Sequence, residues 1–410
     1  MFKSNKLKIA ILSVHSSPLG RPGIGDTGGM SIYIRELTQE LARQGHIVDI
    51  FTRVKDPVTP EIIELAPNAR QIHIPDGGLG DIDKLLIYNN APDFACKTAT
   101  FCKQNDLSYD LIFSHYWISG IAGQYLQAWW QVPLVSMFHT LGAIKNALSI
   151  GEDESDLRIQ EERQVAASSS RIIASTESEK TALYRFYDVP AEKISVIPCG
   201  VNLDLFKISE KQAARQRLGL PDGKIILFVG RIERLKGIDR LVQALPFLQD
   251  IKPKLVIVGE DGNRPGETDN LRKLAENLGI ASSVFLPGLQ DYEKLPDFYN
   301  AADVCAFPSY YESFGLVPLE SLACGTPVVA TDVGDLRHII LDGETGYVIP
   351  NNQPQLLAAR LRAVLDGTNR NLLDRQAIRF SVSRYGWDKI AQTVTDAFAE
   401  LVCESLKVKS

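Results

Sequence analysis

The chain has 410 residues, 45% of them hydrophobic and 23% charged, which predicts a soluble protein of two domains. Its net charge of −6, with acids and bases interspersed, excludes nucleic acid as the main partner. No run approaches the ~20 apolar residues that span a bilayer, although an amphipathic helix could still touch a membrane surface. Cys96, Cys102, Cys199, Cys305, Cys324 and Cys403 form no C-x-x-C pair, so the sequence offers neither a zinc site nor a disulfide framework and points to a reducing cytoplasm.

Apolar runs and helical periodicity alternate throughout, which predicts an α/β protein with parallel sheets. In the first half, strands are expected over Leu7–Val14, Ile47–Thr52, Arg70–Ile74, Tyr109–Ser114, Leu134–Phe138 and Arg171–Ser175. A helix is expected over Met30–Gln44, and others near 84–104, 118–130, 152–168 and 177–187. Pro198, Gly200, Gly219, Pro221 and Gly223 then punctuate the chain, and the domain linker is placed near Ile197–Asn202. The second half resumes with strands Ile225–Val229, Lys254–Val258, Val284–Leu286, 303–307, Val328–Ala330 and Tyr347–Ile349. Helices are expected at 238–248, 268–278, 291–301, 354–366, 371–380 and 387–405. Each half reads as a doubly wound sheet, which binds ligands at the carboxyl ends of its strands. Two such domains facing each other would place a substrate cleft between them.

Five stretches carry polar residues at such strand ends. The loop Ser16–Met30 holds a literal G-x-G-x-x-G in Gly23, Gly25 and Gly28, with Asp49 about 20 residues on, as in dinucleotide folds. The first glycine there should directly follow the strand, and here it comes nine residues after Val14. Gly28 and Gly29, just before the helix, are better placed to let backbone approach a ligand. His139 ends the strand Leu134–Phe138, and His115-Tyr116-Trp117 ends the one before it. Gly230-Arg231-Ile232-Glu233-Arg234-Leu235-Lys236-Gly237 links a strand to a helix and can bring Arg231 and Lys236 onto one anion. Paired cations of this kind stabilise a departing diphosphate. Finally, Glu312 precedes Ser313-Phe314-Gly315-Leu316 and a short helix that carries Pro318 and Glu320 and stops at Gly325. The free N–H groups at that helix start attract phosphate, and the carboxylates can accept sugar hydroxyls. Asp81-Ile82-Asp83 has the Asp-x-Asp form of metal-dependent transferases of another fold, but in a glycine-rich loop it reads as a solvated turn.

The Glu312-to-Glu320 spacing, with its flanks ESFGLVPLE and GTPVVAT, resembles the E-x7-E motif of the large retaining two-domain glycosyltransferase family, and G-R-x-x-x-x-K-G is similar to that family's diphosphate clamp. Within the family, SVHSSPLG, GDTGGMSIYI, SHYWISG and FHTLGAIKN are most similar to the mycothiol-pathway branch, which acts on inositol phosphate, and the sucrose-phosphate synthases share much of the pattern. Where the mycothiol branch carries two adjacent arginines, this chain reads Leu157-Arg158-Ile159. The resemblance spans nearly the whole chain and implies the GT-B fold. Residues 1–197 would form the acceptor side, with a last helix at 386–410 crossing back to it, and 198–385 would hold the nucleotide-sugar.

The resemblance also implies site roles. Arg231, Lys236, His139 and Glu312 would serve catalysis. Gly28, Gly29, Gly230, Ser313, Phe314, Gly315, Leu316 and Glu320 would bind the donor. Lys84, Tyr116, Thr140, Lys145 and Arg158 would face the acceptor. Retention in the family is explained by a front-face route in which the donor phosphate takes the incoming hydroxyl's proton, so neither a protein base, a cofactor nor a metal is expected. The expected partners are a nucleotide-sugar, with UDP as the nucleotide, and a small phosphorylated polyol or sugar. A lipid or polysaccharide acceptor, GDP-mannose as donor, an epimerase of the same fold and a dinucleotide-dependent oxidoreductase are the rival readings. Either a monomer or a homodimer is compatible with the sequence.

Overall fold

Apolar runs closed by glycine or proline become the strands of two sheets. The computed structural model describes residues 6–409 except 21–22, 24–26, 77, 81, 149, 151–152 and 262–265, so Gly25 and Asp81 lie outside the described residues. The described chain falls into two compact units. One holds the residues to Gly20, the span 27–198 and the stretch from Trp387 onward; the other holds Cys199–Gly386, with Gly23 assigned to it as well.

The first unit contains β1 (Lys8–Leu12), β2 (Ile47–Arg53), β3 (Ile62–Ala66), β4 (Ala69–Ile74), β5 (Leu111–His115), β6 (Leu134–Met137), β7 (Arg171–Ala174) and β8 (Ile194–Val196). Their spatial order is β3-β4-β2-β1-β5-β6-β7-β8. Ile9, Ala10, Ile11 and Leu12 are wholly buried in the central strand, each large side chain contributing about 1.5–3 kcal/mol. The closing helix Trp387–Lys409 packs within this unit on the helix Gly29–Arg43. The Tyr33 and Trp387 rings meet edge-on at 5.3 Å, and Phe398 meets Phe113 at 5.2 Å.

The second unit contains β9 (Ile225–Val229), β10 (Lys254–Val258), β11 (Val284–Gly288), β12 (Val304–Phe307), β13 (Val328–Thr331) and β14 (Gly346–Ile349). They run β11-β10-β9-β12-β13-β14, all parallel. In each sheet the strand order reverses beside its first strand, between β1 and β5 and between β9 and β12. Those reversals open the crevices where doubly wound sheets bind ligands.

Proline accounts for several departures from the expected helices. The expected helix at 84–104 breaks at Asn90 into Lys84–Asn89 and Ala91–Gln104, with Pro92 in the first turn of the second. Helix Ile238–Ala244 tightens into a 3-10 turn at Leu245–Leu248, which begins with Leu245-Pro246. The first sheet is not purely parallel as expected, because the unpredicted edge strand β3 pairs antiparallel with β4. Between the expected linker and β9, where no helix was expected, lies the helix Lys211–Leu218, capped by Glu210 at its start and by left-handed Gly219 at its end.

Backbone approach fixes some glycines in the second sheet. A Cβ on Gly346 would stand 1.9 Å from the Val328 carbonyl oxygen, closer than any atoms pack. Gly346→Ala should therefore lower stability by at least ~2 kcal/mol, read as a clear fall in the thermal midpoint. An unchanged midpoint would contradict the register of β13 on β14.

Candidate active site

Each unit gathers the polar residues singled out above at the carboxyl ends of the strands flanking its reversal. In the first unit, β5 ends at His115, and the next residue, Tyr116, takes φ 74° and ψ 156°. That conformation is nearly exclusive to glycine and costs about 1–3 kcal/mol. The corresponding turn after β6 holds His139 at φ 61°. A hydrogen bond of 2.8 Å joins His115 Nδ1 and His139 Nε2. Burial and the neighbouring His139 push His115 well below the usual histidine range, and desolvation holds His139 down to about 3. Both rings are therefore neutral at physiological pH.

Tyr116 lies between two further groups. His15, in the loop after β1, stacks on it with ring centroids 4.3 Å apart. The Arg158 guanidinium sits 5.1 Å from the Tyr116 centroid on the other element. Arg158 belongs to the helix Asp156–Ser168, whose N-cap Ser155 accepts from its backbone N–H. It is only 3% exposed, so the expectation of a cation open to an acceptor phosphate needs revision. Its Nε donates to Glu162 Oε1 at 2.7 Å, and one terminal nitrogen donates to both oxygens of Thr140 at 3.0 Å. The other terminal nitrogen lies 2.8 Å from Glu154 Oε1, an oxygen that Lys145 Nζ also reaches at 2.7 Å. Burial alone would raise the Glu154 pKa, but the charges of Arg158 and Lys145 outweigh it and hold the group low.

Glu162, absent from the sequence expectations, is the centre of this network. Wholly buried, it also accepts from the Gly142 N–H at 3.0 Å and from the Tyr187 hydroxyl. It thereby ties the helix Gly142–Leu148, which carries Lys145, to the helix bearing Arg158. The sequence signal was the four-residue spacing from Arg158, hidden in a run of alternating charges. Lys84 opens the helix Lys84–Asn89, whose N-cap Asp83 accepts from Leu85 N–H at 2.7 Å. Asp83 is thus occupied as a cap. Gly28 is the N-cap of the helix that Gly29 begins, and a Cβ at Gly28 would meet nothing within 4 Å. Asp49 is excluded as a ribose-binding acid: it is buried mid-strand, gripped by Arg70 at 2.8 and 2.7 Å and by the Tyr109 hydroxyl at 2.6 Å.

In the second unit, Gly230 follows β9, and its carbonyl oxygen would lie 2.0 Å from a Cβ on Gly259, after β10. This contact makes Gly259 a further constrained glycine that no motif flagged. The loop continues through Arg231, which faces Glu233 at 3.4 Å, and the 3-10 turn Arg234–Lys236. Left-handed Gly237 then lies against Pro308, whose carbonyl oxygen a Cβ would approach to 2.2 Å. That seating brings Lys236 to the residues after β12. Its Nζ donates to Glu312 Oε2 at 2.8 Å and lies 5.9 Å from the Phe307 ring centroid.

The other Glu312 oxygen accepts from the Ser313 N–H at 3.2 Å. Phe314 is buried, and Gly315, at φ 110°, is the N-cap of the helix Leu316–Ala323. Left-handed Gly334, after β13, supports the same loop: its Cβ position lies 2.9 Å from the Phe314 carbonyl oxygen. Glu320 is nearly buried within the helix, and its Oε2 accepts from the Tyr299 hydroxyl at 2.7 Å. A groove of about 510 Å³ lined by Gln131, Pro133 and Ser170 sits at the amino ends of β6 and β7, away from these residues.

The arrangement therefore sets Lys236 beside the loop that leads into a helix start in one unit, with Arg231 earlier in the same loop as Lys236, and neutral histidines near a paired arginine in the other. A family model described as "Glycosyl transferases group 1" matches residues 210–380, and one described as "Glycosyltransferase Family 4" matches residues 27–205. The chain is 40% identical over 407 residues to the D-inositol 3-phosphate glycosyltransferase of Xylanimonas cellulosilytica, covering 96% of each chain. It is 39% identical over 412 residues to D-inositol 3-phosphate glycosyltransferase 2 of Catenulispora acidiphila, covering 96% of this chain and 95% of that one. Among solved structures, sucrose-phosphate synthase from Thermosynechococcus elongatus matches with a TM-score of 0.88 and 33% identity, over 97% of this chain and 100% of that one.

Removing one member of a buried ion pair leaves an uncompensated charge, at about 3–5 kcal/mol. Glu162→Ala should destabilise the first unit by about that much. The double variant Arg158→Met with Glu162→Leu should lose less than the sum of the single changes. Chemical denaturation of the three variants measures this, and strict additivity would show that the pair is not coupled.

Proposed function

Because the chain belongs to the group 1, family 4 glycosyltransferases, two-domain enzymes of the GT-B fold, we propose that it moves a hexosyl group, glucosyl or N-acetylglucosaminyl, from a UDP-sugar to a small phosphorylated polyol of the inositol-phosphate type, with retention of configuration. The observation that carries this reading is the 40% identity, over 96% of each chain, to an enzyme named for D-inositol 3-phosphate. A reducing cytoplasm goes with it, on the ground that the six cysteines are scattered with no C-x-x-C pair.

In this reading Arg231 and Lys236 stabilise the diphosphate as it leaves, and the amides at the start of Leu316–Ala323 receive its oxygens. Gly230 keeps the loop backbone clear for that approach, and Gly28 and Gly29 leave the start of their own helix open to a donor group. Glu312 orients Lys236 and offers an oxygen to the sugar. Ser313, Phe314, Gly315 and Leu316 shape the loop that holds the donor, and Glu320 takes a ribose hydroxyl beside Tyr299. His139 contacts the transferred sugar. Lys84, Tyr116, Thr140 and Lys145 meet the acceptor, while Arg158 holds Thr140 and Tyr116 in place from beneath. The incoming hydroxyl loses its proton to the donor phosphate, so no protein base and no metal takes part.

Two outcomes follow. Arg231→Ala and Lys236→Ala should each lower kcat by about 10²-fold with folding intact, since both side chains make only part-exposed ion pairs. Near-normal turnover in both purified variants would remove the clamp assignment. A donor-by-acceptor panel read by mass spectrometry, run with and without EDTA, tests the rest. The phosphorylated polyol should be the best acceptor, its rate should survive EDTA, and Lys145→Ala should raise its KM by about 10-fold or more, from the loss of one charged hydrogen bond, while sparing the unphosphorylated analogue. A lipid or polysaccharide as best acceptor, or dependence on a divalent cation, would overturn the corresponding part.

A further inference from the structure

We propose that His115 is a positioning residue that fixes His139 in the tautomer carrying its proton on Nδ1. The two rings share one hydrogen bond, His115 Nδ1 to His139 Nε2, at 2.8 Å. With both rings neutral, the shared proton has two possible homes. If it resides on His139 Nε2, then His115 must carry its own proton on Nε2. That atom is buried, beside Phe113 at 4.2 Å and Tyr33 at 5.7 Å between ring centroids, and has no hydrogen-bond partner among the described residues. A buried N–H without an acceptor is the rarer and costlier defect, whereas an unused lone pair is better tolerated. The proton therefore belongs to His115 Nδ1, which donates. His139 Nε2 accepts, and His139 holds its proton on Nδ1.

The backbone supports this pairing. Tyr116 and His139, the turn residues that set the two rings at the ends of β5 and β6, both adopt positive φ. Such strain persists only where the surroundings over-determine it. The consequence is chemical. His139 can donate a hydrogen bond through Nδ1, and it can serve as a base through neither nitrogen, since Nε2 is engaged and the ring resists a second proton. Resting on the reading in which His139 contacts the transferred sugar, it offers an N–H to a hydroxyl oxygen there. The proton of the incoming group then goes to the donor phosphate and not to His139.

Two-bond ¹H–¹⁵N correlation spectra of the full-length protein labelled with ¹⁵N-histidine read the tautomer directly. Wild type should show His139 protonated on Nδ1. His115→Phe should lose that pattern, while His115→Asn, whose side-chain amide N–H stands near the position of Nδ1, should keep it. In turnover assays His115→Phe should lower kcat by about 10²-fold with the donor KM little changed, and His115→Asn should recover most of the loss. A wild-type spectrum showing His139 protonated on Nε2, or a His139 pattern unchanged in His115→Phe, overturns the proposal. The expected spectra with unaltered kcat in His115→Phe would instead uphold the tautomer and sink the sugar-contact reading of His139.

Discussion

Parallel pairing is the constraint from which the rest follows. When strands run the same way, all their carboxyl ends emerge on one edge of the sheet, and the chain must return by a helix each time. The loops that begin those returns are therefore neighbours, although far apart in sequence. Gly230 and Pro308 are separated by more than seventy residues of chain, yet Gly237 places the first loop against the second with no room for a side chain. Lys236 meets Glu312 only because of that close seating. The same logic brings His115 to His139 and Tyr116 to His15 in the first unit.

The cations at those edges differ in how firmly the fold holds them. Lys236 and Glu312 keep about a fifth of their side-chain surface exposed, and a pair of that kind contributes about 0–1 kcal/mol. On the reading proposed here, a ligand phosphate displaces Glu312 at little cost. Arg158 and Glu162 are buried, and separating them would cost several times as much. Arg158 therefore answers to the fold first. Only the nitrogen it shares with Glu154 faces a carboxylate that is itself partly exposed.

This division explains what was readable in the sequence. The central strands were legible because burial on both faces leaves uninterrupted apolar runs such as Ile9–Leu12 and Ile225–Val229. The Gly230–Gly237 loop was legible because a strand, a glycine and two cations before a helix have few other uses. β3 was missed because its side chains are only half-buried and its pattern is weak. The helix Lys211–Leu218 was missed because Gly219 and Pro221, which end it, also look like linker residues. Arg158 was noticed, but its burial could not be: ESDLRIQEERQ reads as a solvated helix face. What buries it comes from elsewhere, from Gly142, Thr140, Tyr116 and Tyr187, and no local period records those contacts.

The same reasoning bears on how one scaffold changes acceptor. The Glu162 network fixes the backbone of the Gly142 turn and both flanking helices through bonds to main-chain N–H groups and to a buried tyrosine. Those contacts do not involve the outer groups Lys145 and Glu154. Exchanging Lys145 alters the charge offered at that edge by one unit and leaves the inner bonds intact. Two enzymes can then share the reaction and most of the fold while differing in the anion they accept. On the reading proposed here, acceptor choice resides in the partly exposed Lys145–Glu154 layer and the reaction itself in the strand-end residues beneath it, so the outer layer can vary without the inner one being rebuilt.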